Sequence, residues 1–274
     1  MKNEKTYELV LTALFTAIIV IMAFTPLGYI PLVVINATVI HIPVILGALF
    51  LGPKKGAFLG FVFGLTSFIN NTFKAVTASA FVFSPVLAAN VVGMSGVFKS
   101  MYICFVPRIL VGIIPYFVYI LIRNLLKSEQ KVWRVVINAV VSFVLFISIR
   151  AFVSNLIEKG NGALTGTLSG AAVGIILFIV LTITAHKKAS SSVALAYAGL
   201  TGAFTNTLFV MSGIYILYKD AYAQALGIAG DTVIDVIMGI ISFNGIVEAV
   251  VAAILIAGIG LALMQVKPIK GLKE

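Results

Sequence analysis

Apolar runs of about twenty residues, separated by short polar or charged breaks, recur along the whole chain. Runs of that length cross the hydrocarbon of a bilayer as α-helices, because only then is every backbone N–H and C=O satisfied inside the segment. The pattern predicts eight spans, at 7–25, 29–51, 55–70, 101–122, 135–157, 163–185, 193–218 and 236–264. The second ends at Gly52-Pro53-Lys54-Lys55, where a helix-stopping pair is followed by charge. The stretch 79–98 is also apolar, but Ser84-Pro85, Asn90, Gly93 and Ser95-Gly96 interrupt it. Residues 71–100 are therefore read as an external loop, partly re-entrant and packed against protein rather than lipid. The expected fold class is all-α, a polytopic helical membrane protein.

Composition agrees with the pattern. Of 274 residues, 61% are hydrophobic and 10% charged, more apolar side chain than a soluble domain can hide from water. The N-terminus "MKNEKTYELVLTALFTAIIVIMAF" has the basic start of a signal peptide, but its run is long and no small-x-small site follows, so a retained first span is expected. The single cysteine, Cys104, excludes an intramolecular disulfide, and with two distant histidines it leaves no metal site and no expected cofactor.

The formal charge of +10 would suit nucleic acid in a soluble protein; in a membrane chain it reads as topology instead. With both termini in the cytoplasm, thirteen of the nineteen Lys and Arg residues fall inside, including Lys2, Lys5, Lys54, Lys55, Arg123, Lys127, Lys131, Arg134, Lys187 and Lys188. A crossing at 79–98 would carry Arg123 to Arg134 outside and erase that bias. The pair 135–157 and 163–185 lies between the basic segments "RNLLKSEQKVWR" and "HKKASSS", so 126–192 is read as an inserted transmembrane hairpin on a six-helix core. Arg150 in this hairpin is close enough to the interface to snorkel and is given a structural role.

Helical rise then places polar residues by depth. Asn36 and His41 open the second span, Asn70 closes the third, Arg108 lies about a turn and a half below the start of the fourth, Asn206 and Tyr215 lie on the seventh, and Asn244 and Glu248 occupy the outer half of the last. Amides and charges in hydrocarbon are costly, so these groups are expected to face one another around an outward-facing, substrate-binding pocket. Arg108 offers a planar fork for a carboxylate or phosphate, with Glu248 as its counter-ion when the site is empty. Asn244 and Glu248, four apart, are expected on one helix face. Each residue also has a plainer reading, as an interfacial histidine, an interhelical amide or a structural ion pair.

Small residues recur at four-residue spacing: Ala13 and Ala17 in the first span, and Gly56, Gly60 and Gly64 in the third. Such stripes allow close helix approach, either within the chain or to a separate membrane partner, and partner docking is the reading adopted. No G-x-x-x-x-G-K-[ST] loop is present, so the chain has no means of hydrolysing ATP by itself.

Several blocks taken together resemble a known family: Ala13-x-x-x-Ala17, "INATVIHIPVILGALFLGPKKGAFLGFVFGLTS", "FVFSP", "CFVPRILVG", "GAFTNTLFVMSGIYI" and "NGIVEAVVAAIL". They are similar to the substrate-binding S components of energy-coupling factor (ECF) vitamin transporters, in the branch for pantothenate, folate and hydroxymethylpyrimidine. The resemblance implies a six-helix core, no enzymatic activity, a water-soluble vitamin bound from outside, and assembly in the cell membrane with a coupling membrane protein and two ATPases. It makes the Ala motif a docking motif, and pantothenate is the vitamin favoured, with folate, hydroxymethylpyrimidine and pyridoxine as the alternatives. The residues alone leave open an autonomous proton- or ion-coupled carrier using Glu248 or His41, and a membrane enzyme for which no nucleophile or metal motif is recognisable.

Overall fold

The computed structural model describes residues 2–31, 36–75, 77–127, 131–156, 162–183, 189–266 and 269. It is an almost wholly helical bundle. Helix α1 (Lys2–Phe24) leads through a 3-10 turn, Pro26–Gly28, to a ribbon of two short antiparallel strands, β1 (Tyr29–Pro31) and β2 (Asn36–Thr38), with Tyr29 opposite Thr38. The expected span 29–51 is corrected accordingly, because its helix is confined to α2 (His41–Leu51). Pro31 has no N–H to propagate a helix, and its neighbour Ile30 is a strand former. All eleven residues of α2 are buried, and at about 16 Å it is too short to cross a bilayer unaided.

Gly52 turns the chain back with φ 87, a conformation open to glycine, and its N–H caps α2 by bonding the Ala48 carbonyl at 3.0 Å. Pro53 then starts α3 (Pro53–Phe73), where its missing N–H costs nothing.

Residues 71–100, expected as a loop, are mostly helical: the end of α3, a 3-10 turn at Ala78–Phe83, α4 (Pro85–Val92), and the first turns of α5 (Met94–Val111). With eight residues, or about 12 Å, α4 does not cross. Ser84 ties this region down, since its hydroxyl accepts from the Leu87 N–H at 3.2 Å and pairs with the Thr72 hydroxyl at 2.7 Å. The expected span 101–122 is split between α5 and α6 (Ile114–Lys127), which meet around Gly112.

Helices α3 and α5 run antiparallel in backbone contact. A Cβ on Gly56 would strike the Gly112 carbonyl, one on Gly60 the Arg108 carbonyl, and one on Gly64 the Cys104 carbonyl. Docking of a partner through Gly56, Gly60 and Gly64 is therefore corrected. This stripe is filled from within the chain, and its function is to bring the Arg108 backbone against α3.

Helices α7 (Lys131–Leu156) and α8 (Gly162–Ile183) pack on each other through a second stripe, Gly166, Gly170 and Gly174, against backbone at Arg150, Phe146 and Ser142. The pair joins the rest through α7, whose Ile137 carbonyl accepts from the Tyr197 hydroxyl at 2.6 Å. Arg150 is exposed. Helix α9 (Ala189–Leu226) kinks at Tyr218 and is followed by α10 (Val233–Ile240), a π-helical turn (Ile241–Gly245) and α11 (Ile246–Met264).

The main core joins Phe15 and Ile19 of α1, Ile45 and Leu49 of α2, Leu59 of α3, Leu195 of α9 and Ile256 of α11. Large apolar side chains also cover the outside, among them Leu9, Phe58, Phe117, Ile175 and Ile254. Water would not tolerate that surface; lipid does. Among the described residues five helices are long and apolar enough to cross a membrane: Glu4–Phe24, Pro53–Phe73, Met94–Leu126, Ser191–Leu226 and Ile246–Met264. The chain is a multi-pass membrane protein.

Candidate functional site

A cavity of about 170 Å³ opens at the end of the bundle where α1 and α3 finish. Ala23, Thr38, Phe63, Asn70, Arg108 and Asn206 are among its lining residues. Three of the eight substrate-binding residues expected from the sequence thus meet there: Asn70, Arg108 and Asn206. They arrive from α3, α5 and α9, with β2 closing the fourth side.

Arg108 is positioned by its sequence neighbour. Pro107 sits inside α5 and has no N–H, so the carbonyl four residues earlier, that of Ile103, loses its helical donor. The Arg108 guanidinium turns back along the helix, as helical side chains do, and its Nη1 donates to that carbonyl at 2.6 Å. The same group lies 5.5 Å from the centre of the Phe63 ring and 5.2 Å from that of Phe83. That bond and the two aromatic rings help to hold the cation, while its residue is only 6% exposed.

The depth expected for Arg108 is corrected by this arrangement. Its helix begins at Met94, and its backbone lies level with Gly60, near the start of α3; the side chain climbs back into the cavity. Replacing Pro107 with Ala should restore the backbone bond to Ile103 and release the guanidinium. Thermal stability should hold or rise while affinity for an anionic ligand falls about tenfold. Thermal melting and ligand titration on one preparation check that split, and a parallel loss of both would mean that Pro107 serves the fold alone.

The remaining sequence-derived residues lie elsewhere. Glu248, 6% exposed, feels the charge of Arg108, while its two oxygens are bonded elsewhere. Its Oε1 accepts from the Thr38 backbone N–H at 2.8 Å and its Oε2 from the Thr207 hydroxyl at 3.2 Å. The carboxylate stands behind the ribbon and ties β2 to α9 and α11, which makes it part of the wall's support. His41 is fully buried in the first turn of α2, with neither ring nitrogen bonded among the described residues, and it is not among the lining residues.

Tyr215 is half-buried beside the Ala78–Phe83 region, with the Lys219 ammonium 5.6 Å from its ring centre. Asn244 lies on the π turn. Its side-chain Oδ1 is buried without a partner among the described residues, and Asn244 is not among the lining residues of the cavity. The Asn36 backbone belongs to β2, while its side chain is outside the described residues.

Sequence reasoning missed Phe63 and Phe83, and also Thr66 and Asn71, which line the cavity as well. The block "FVFSP" carried a signal, since its middle residue, Phe83, is a ring that covers Arg108. That turn is held over the cavity by Cys104 Sγ donating to the Phe83 carbonyl at 2.8 Å and by edge-to-face packing of Phe81 on Tyr218 at 5.4 Å. On the exposed side of α1, Ala13 and Ala17 remain uncovered by the rest of the chain. Near the N-terminal ends of α1 and α3, Lys55 pairs with Glu8 at 2.6 Å.

The cavity offers one held cation and several amide groups, a set suited to binding a small polar anion. Among the described residues no group of histidine, cysteine or carboxylate side chains could hold a metal ion.

Comparison with known proteins narrows this chemistry. Residues 8–157 match the model for the ECF transporter, substrate-specific component. Over 137 residues the chain is 42% identical to "Pantothenic acid transporter PanT" of Lactococcus lactis subsp. cremoris, an alignment covering 47% of this chain and 65% of that relative. Over 280 residues it is 27% identical to "Pantothenate transporter PanT" of Leuconostoc mesenteroides subsp. mesenteroides, across the whole of both. The stronger alignment therefore spans just under two thirds of its relative's length.

Proposed function

This chain belongs to the family of ECF transporter substrate-specific components, and on that premise we propose that it captures pantothenate from outside the cell and delivers it through an ATP-driven coupling module. The observation that carries the reading is Arg108. A desolvated, pre-oriented guanidinium in a small cavity is a carboxylate receptor, and the pantothenate transporters among the relatives supply the carboxylate-bearing vitamin. Binding needs no chemistry at the substrate, so the protein acts as a receptor and not as an enzyme.

In this reading the termini are cytoplasmic and the cavity opens outward, consistent with the Lys and Arg distribution. The uncovered stripe of Ala13 and Ala17 meets the coupling membrane protein, and two ATPase subunits drive the cycle. Uptake of labelled pantothenate into cells expressing this chain tests the proposal. Uptake should require both the chain and the coupling module, and should persist when the proton gradient is collapsed while ATP is maintained. Uptake without ATPase partners that vanishes with the gradient would overturn it in favour of a proton-coupled carrier.

A further inference from the structure

The cavity contains acceptors as well as a cation. The Asn70 side-chain amide donates from Nδ2 to the Ala23 carbonyl at 3.4 Å, which leaves its Oδ1 facing the other way. That oxygen is buried and has no partner among the described residues. Asn206, only 9% exposed, likewise holds a buried Oδ1 with no partner among the described residues. Both residues line the cavity. A buried carbonyl oxygen without a donor is costly, so two around one hollow point to donors that arrive with the ligand.

The Asn70 acceptor is separated from the cation along α3. The guanidinium lies against Phe63, and Asn70 follows seven residues later on the same helix, a rise of about 10 Å. Two neighbouring side chains donate to backbone: the Thr66 hydroxyl to the Phe63 carbonyl at 2.9 Å, and Asn71 Nδ2 to the Ser67 carbonyl at 2.8 Å. We infer that Asn70 and Asn206 are specificity-determining residues that accept hydrogen bonds from neutral hydroxyl donors at the end of the ligand remote from its anionic group. The site thus selects extended hydroxylated acids over acids that lack hydroxyls. The inference rests on the pantothenate reading, in which carboxylate and hydroxyls stand at opposite ends of the molecule, and it assigns the hydroxyl end to these two amides.

The test is a titration of the purified full-length protein with pantothenate and with its dideoxy analogue, both hydroxyls replaced by hydrogen. The wild-type protein should prefer pantothenate by roughly ten- to a hundredfold, as expected when a buried acceptor is left unpaired. Asn70→Leu and Asn206→Leu should each bring that ratio towards one. Asn206→Asp, which keeps an acceptor oxygen, should preserve it. Equal wild-type affinity for the two compounds overturns the inference and leaves the vitamin assignment standing, whatever the variants do. Failure of well-folded wild-type protein to bind pantothenate at all overturns the assignment, and the inference with it.

Discussion

Arg108→Ala should weaken pantothenate binding by about 2–5 kcal/mol, a loss of roughly thirty- to several thousandfold in affinity. The size follows from the surroundings. The guanidinium is held by the Ile103 carbonyl and by Phe63 and Phe83 before any ligand arrives, so little conformational freedom remains to be lost on binding. Truncation also leaves the ligand carboxylate in a site without a cation, which is worse than leaving it in water. Arg108→Lys should recover only part of the affinity, because an ammonium cannot bridge two carboxylate oxygens while also bonding the carbonyl. Calorimetric titration of wild type and both variants measures these differences, and unchanged affinity in Arg108→Ala would remove this residue from the site.

The second large effect is expected far from the cavity. With Ala13 and Ala17 replaced by Trp, uptake should fall to background while pantothenate affinity in the purified protein stays within about twofold of wild type. Both alanines are exposed on α1, and the core-facing side of that helix is supplied by Phe15 and Ile19. The substitutions therefore add bulk where another helix would approach without disturbing the packing that supports the cavity. Loss of binding together with uptake would point to misfolding, and normal uptake would take the alanine stripe out of docking.

The sequence made the class of the molecule legible, and part of the lining of one cavity. Length and apolarity carry the membrane assignment because the bilayer imposes both. Asn70 and Asn206 were singled out by depth and line one cavity, which Arg108 reaches from a different depth through its side chain. Depth is one coordinate, however, and rotation about each helix axis is another. His41 is at a suitable depth, yet it is buried outside the lining because the β1–β2 ribbon, not a longer helix, sets where α2 begins. Asn244 and Glu248 also sit at a suitable depth, yet neither lines the cavity.

The glycines teach a related lesson. Gly56, Gly60 and Gly64 form the same pattern whether the helix received is foreign or belongs to the chain, and only the fold shows α5 already seated on them. Pro107 was visible throughout. Its meaning needed one further step, that the carbonyl it leaves without a donor lies within reach of the next residue's side chain.

The bond from the Thr38 backbone to Glu248 joins positions 210 residues apart. A ribosome feeding this chain into the membrane makes the receptor's front wall almost at once and the strut behind it almost last. Until α11 has been inserted, the nascent protein carries Arg108 and Asn206 but lacks the Glu248 bond that braces the ribbon beside them.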